Sequence, residues 1–81
     1  MRIQGKWIYF DLLEPLRKGQ KTQIWQVMSQ QGGFLGDIKW YSPWRTYSFF
    51  PDSDTLYEDD CLKEIANFIG RLMNERKLRK L

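Results

Sequence analysis

The spacing of apolar positions changes period once along the chain. Up to Pro51 the apolar residues come in short runs rich in β-branched and aromatic side chains, separated by turn signals. From about Asp60 they recur every three or four residues. The first pattern predicts strands and the second a helix. Four strands are expected, at about 7–14, 22–30, 34–41 and 45–50, with a helix over about 60–77. The first run, WIYFDLL, is apolar on both faces, as in a strand covered on both sides or lying at a partner contact. Glu14-Pro15 ends it, and Leu16–Lys21 reads as a polar loop around Gly19.

Turns fix the expected faces. Gln31-Gly32-Gly33 joins the second and third strands, because glycine accepts positive φ. A turn at Ser42-Pro43 sets Trp40 opposite Arg45, Ile38 opposite Tyr47 and Gly36 opposite Phe49. One face then reads Trp25, Val27, Ile38, Trp40, Tyr47 and Phe49, suited to a core. The other reads Asp37, Lys39, Tyr41, Trp44, Thr46, Ser48 and Phe50, a mixture of rings and polar groups. Gly36 inside a strand implies a bulge or a ring packed closely over it.

On the helix, Leu62, Ile65, Ala66, Ile69, Leu72 and Met73 form the expected apolar stripe. Gly70 interrupts it and suggests close approach of a sheet tryptophan. Arg76, Lys77, Arg79 and Lys80 suit the negative end of the helix dipole. The fold class follows: a single α+β domain over 1–81, a four-stranded antiparallel meander with one C-terminal helix packed on one face.

Composition narrows the class. Of 81 residues 42% are hydrophobic, enough to form a core and to argue against disorder. Seven of the thirteen aromatic residues fall between Phe34 and Pro51, so the hairpin centred there dominates burial. One cysteine excludes an internal disulfide and suits a reducing compartment. No apolar run reaches membrane-spanning length, and MRIQGKW lacks a signal-type apolar region. A soluble cytoplasmic protein without a membrane partner is expected.

The net charge of +3 is unevenly placed. Cys61–Leu81 holds six basic and two acidic residues, whereas residues 1–60 hold seven basic and eight acidic. The basic character belongs to the helix. Arg17, Lys18 and Lys21 add a small cluster that reads as solvated loop charge.

Catalytic chemistry is not signalled. There is no histidine, which removes the commonest general base and metal ligand, and no phosphate-cradling glycine loop. Cys61 lacks a base and has Asp59 and Asp60 beside it, so it reads as a buried structural thiol. The carboxylates Asp52, Asp54, Glu58, Asp59 and Asp60 lack the regular spacing and glycine of a calcium loop, and suit a helix N-terminus instead. No enzyme, metal or cofactor is expected.

LGDIKWYSPWRTYSFFP followed by CLKEIANFIGRLM resembles a family of small uncharacterised proteins of phages, prophages and bacterial mobile elements. Trp25, Val27, Gly36, Ile38, Lys39, Trp40, Tyr41, Trp44, Arg45, Tyr47, Phe49, Pro51, Cys61 and Leu62 carry the likeness, with Phe50 directly before Pro51 as a departure. It spans about residues 22–75 and implies a phage-like origin without a known activity. The order of four strands and a helix is also similar to the single-stranded-DNA-binding domain of the PC4 family of transcription coactivators, a topological likeness only.

Two functions fit these residues. Tyr41 and Trp44 could stack on bases while Lys39 and Arg45 meet phosphates, giving single-stranded nucleic-acid binding on an aromatic, basic sheet face. The same residue types make protein hot spots, and open sheet edges pair with other chains. A protein-interaction module, a phage accessory or host-targeting factor able to homodimerise, is the alternative.

Overall fold

The computed structural model describes residues 1–14, 19 and 21–79. Its sheet has five strands: β1 (Arg2–Gln4), β2 (Ile8–Leu12), β3 (Trp25–Ser29), β4 (Phe34–Tyr41) and β5 (Thr46–Pro51). They pair antiparallel in chain order, and the helix α1 (Asp59–Arg79) packs on one face. The α+β class stands, with five strands instead of four. β1 has three residues and a single apolar one, Ile3, too short for a periodicity signal. It pairs Ile3 with Phe10 across a turn at Gly5. Trp7, expected to open a strand, lies in that turn and is exposed. Of the basic loop cluster, Arg17 and Lys18 lie outside the described residues, and Lys21 is exposed.

The core lies between sheet and helix. Val27 and Ile38 are fully buried at its centre, with Ile8, Phe10, Trp25 and Tyr47 around them and Ile65, Phe68 and Leu72 above. Phe68 stacks on Phe10 with ring centroids 4.1 Å apart and takes the edge of Trp25 at 5.0 Å. The buried helix stripe is therefore Ile65, Phe68 and Leu72, flanked by Ile69, Met73 and Cys61, whose thiol is only partly buried where the sequence predicts a buried one. Leu62 and Ala66 face solvent. Both sets have helical spacing, and the one carrying the large ring is buried because that ring removes the most apolar area from water. Gly70 faces open space and admits no tryptophan.

The expected faces are correct, but the β4–β5 register is two residues from the expected one. Ile38 pairs with Phe49 and Trp40 with Tyr47, because Ser42–Trp44 form a 3₁₀ turn that adds residues to the connection. A shift of two preserves side-chain parity, so the core face survives the error. Gly36 does sit at an irregularity. The β3–β4 register shifts between Val27 and Met28, and Gly36 has φ 153°. A Cβ there would meet the Phe50 carbonyl oxygen, with the Phe49 ring and Pro51 Cα at 2.9 Å.

Apolarity on both faces of β2 has a local cause. Ile8 and Phe10 join the core, whereas Tyr9, on the opposite face, is covered by the Arg2 guanidinium 4.1 Å from its ring. Arg2 also forks onto Asp11 at 2.9 and 3.2 Å. Buried polar atoms are paired: the Gln23 N–H donates to the Tyr47 hydroxyl, and the Trp25 indole donates to Gln23 Oε1. From α1, the Glu64 carboxylate accepts the N–H groups of Lys6 and Trp7 at 2.6 and 2.9 Å, tying the first hairpin to the helix. No helix among the described residues is long and apolar enough to cross a membrane.

Candidate functional site

The end of the molecule formed by the β4–β5 turn and the last turns of α1 brings together most of the chemistry the sequence singles out. Ser42 and Pro43 open the 3₁₀ turn, and Arg45 closes it in the left-handed region, φ 52° and ψ 46°, donating its N–H to Ser42 O at 3.1 Å. For a residue with a Cβ that conformation costs roughly 1–2 kcal/mol. Trp44 is thereby held out of the core at 72% exposure.

Successive residues of β4 point to opposite faces, so Trp40 and Tyr41 divide this end into two sides. On the face away from the helix, Trp44 meets the edge of Tyr41 at 4.9 Å, Tyr41 lies 6.1 Å from Phe50, and Lys39 Nζ sits 4.6 Å above Phe50. On the helix side, Trp40, Ser42, Arg45, Met73, Arg76 and Lys77 line a groove of about 580 Å³. The Arg76 guanidinium lies over Trp40, 4.2 Å from the ring centre. Met73 Sδ accepts the N–H of Tyr47 at 3.4 Å, which covers part of the outer edge of β5.

The structure thus gathers Lys39, Tyr41 and Trp44 on one side and sets Arg45 on the other. Trp40, Arg76 and Lys77 escaped sequence reasoning. Trp40 reads as core by alternation, and the two helix cations read as dipole compensation. The signal that could have found them is that a sheet tryptophan at a hairpin end must lie beside the last turns of a helix running along that sheet.

Charge distinguishes the two sides. On the open face, Arg2 and Lys39 are balanced by Asp11 and Asp37, so the sheet face itself is neutral. Among the described residues, the groove has no carboxylate in its lining. Arg2, Lys63 and Arg71 are ion-paired with Asp11, Asp59 and Glu75, whereas Arg45, Arg76 and Lys77 have no such partner among the described residues. At α1 the dipole contributes about half a negative charge near its C-terminus. Three cations outweigh it.

The acidic cluster lies at the other end of α1, about 25 Å away at 1.5 Å per residue. The Glu58, Asp59 and Asp60 carboxylates come within 4.8 Å of one another, all exposed. Glu58 Oε1 accepts the Cys61 N–H at 2.6 Å, and that bond holds the Glu58 carboxyl below its ordinary pKa. Asp59, then Glu58, push Asp60 upward by repulsion. Burial, followed by the hydrogen bond with Glu58, raises the thiol of Cys61 and keeps it protonated, a poor nucleophile. These groups start a helix.

Over 70 residues the chain is 37% identical to the uncharacterized 9.3 kDa protein of Acholeplasma phage L2, an alignment covering 85% of this chain and 90% of that one. The chain belongs to this family of small phage proteins. No family model matches it. No solved structure matches it either. The relative's description assigns it no activity, so family membership brings size and phage kinship, and the chemistry has to be read from the site.

Proposed function

We propose that this small phage-family protein binds single-stranded nucleic acid at the end formed by the β4–β5 turn and the C-terminal turns of α1. The observation that carries the reading is the juxtaposition there of Arg45, Arg76 and Lys77, three cations without a carboxylate partner among the described residues, with the protruding indole of Trp44. Cations in a groove attract the backbone of any nucleic acid, and an accessible ring adds stacking that an unpaired base can satisfy. Tyr41 adjoins the ring, and Lys39, over Phe50 beyond it, extends the contact onto the sheet.

Labelled single-stranded DNA, single-stranded RNA and duplex DNA, titrated at low and moderate salt and followed by anisotropy, test this. The expected result is salt-sensitive binding that favours single strands. The double substitution Tyr41→Ala and Trp44→Ala is expected to weaken it at least tenfold in a protein that still unfolds cooperatively. No binding of any strand at low salt contradicts the proposal. Trp44 and Arg45 would then serve as anchors of a protein interface, both being residue types enriched at hot spots.

A further inference from the structure

We infer that the groove lined by Trp40, Arg45, Arg76 and Lys77 holds the sugar–phosphate backbone alone, while base contact falls to Trp44 outside it. The inference rests on the nucleic-acid reading above and divides its labour between two surfaces.

Trp40 is the ring nearest the cations, yet its face is occupied. Arg76 covers it at 4.2 Å, and the opposite environment is the core, where Tyr47 meets it edge-on at 5.4 Å. A base stacking on Trp40 would have to displace a guanidinium already held there by a cation–π contact. Trp40 is therefore a positioning residue. It fixes the plane of Arg76 and leaves its N–H donors at the groove, the fork geometry that suits phosphate oxygens. Arg45 is brought in from the turn by its left-handed backbone, and Lys77 follows Arg76 on the helix, so cations line the groove from both elements. The groove, at about 580 Å³, has room for phosphate groups of a strand. Trp44 stands outside that lining, largely exposed and in T-shaped contact with Tyr41, and can receive a base.

The test compares a fluorescein-labelled oligothymidylate of twelve residues with a strand of the same length lacking bases, each titrated with the full chain at several salt concentrations. Both are expected to bind, the abasic strand about 5- to 150-fold more weakly for the loss of one stacked base. Their salt slopes should be equal. Arg45→Ala, Arg76→Ala and Lys77→Ala should each lower the slope by about 0.7, the single-strand value per phosphate contact. Arg76→Lys should retain it. Trp44→Ala should leave the slope unchanged while bringing oligothymidylate affinity down to that of the abasic strand. If oligothymidylate binds and the abasic strand does not, or if the three alanine variants leave the slope unchanged, the groove is not a backbone site and the inference fails while nucleic-acid binding stands. If neither strand binds, both fail together.

Discussion

Arg45 shows at the scale of one residue how position outweighs local comfort. Its left-handed backbone is a conformation glycine adopts without a Cβ penalty, so Arg45→Gly is expected to leave the thermal midpoint unchanged or raise it, while weakening nucleic-acid binding. Loss of stability without loss of binding would assign Arg45 to the turn and not to the site. Two glycines give opposite expectations. Gly36→Ala drives a Cβ into the Phe50 carbonyl, and a drop in denaturant midpoint with broadened unfolding is expected. Gly70→Ala meets open space on a helix and should stabilise by up to about 1 kcal/mol, measured by urea denaturation. The sequence suggests a bulge or a close ring at Gly36 because glycine inside a strand has few other reasons to be there. It misplaces Gly70, because helical periodicity cannot say which of two overlapping stripes a tertiary ring such as Phe68 will select.

Among the elements, the sheet–helix order and both faces of the central hairpin are legible, since parity survives a register error of two. The short β1 is not, and its stability comes from elsewhere. Glu64 supplies two charge-assisted hydrogen bonds to the β1–β2 turn, so Glu64→Ala is expected to cost about 2 kcal/mol and to speed amide exchange of Lys6 and Trp7 ahead of the core. The start of α1 carries opposing titrations. Glu58 has a folded pKa below its ordinary 4.5, so its contribution is present above that pH and is lost as pH falls through the folded value. Asp60 has a folded pKa above its ordinary 3.8, so its ionised form opposes folding and acid relieves it. In thermal melts at low salt, Glu58→Gln should lower and Asp60→Asn should raise the midpoint near neutrality, each difference shrinking as the pH falls through the ordinary and folded pKa values of the group concerned. A Glu58→Gln deficit that persisted in acid would show that the carboxylate's charge is not what matters.

Taken as a whole, the molecule separates its charge along α1, with carboxylates at the start and, at the end, cations that have no carboxylate partner among the described residues, beside the hairpin tip that holds Trp44. The excess of basic residues in the helix is visible in the sequence. That these cations meet Arg45 and Trp40 is not, since it depends on how the helix lies over a sheet with one strand more than the periodicity predicts. A neutral open face means that binding should centre on the tip and not spread across the sheet. The most direct measurement is amide and indole chemical-shift mapping of the isotope-labelled chain titrated with a short oligothymidylate. Perturbations are expected to concentrate at Tyr41, Trp44, Arg45, Arg76 and Lys77, including the Trp44 indole N–H, and to leave β1 and the Glu58–Asp60 end unmoved. Perturbations confined to β1, to the acidic end or to the middle of the open face would contradict binding at the tip.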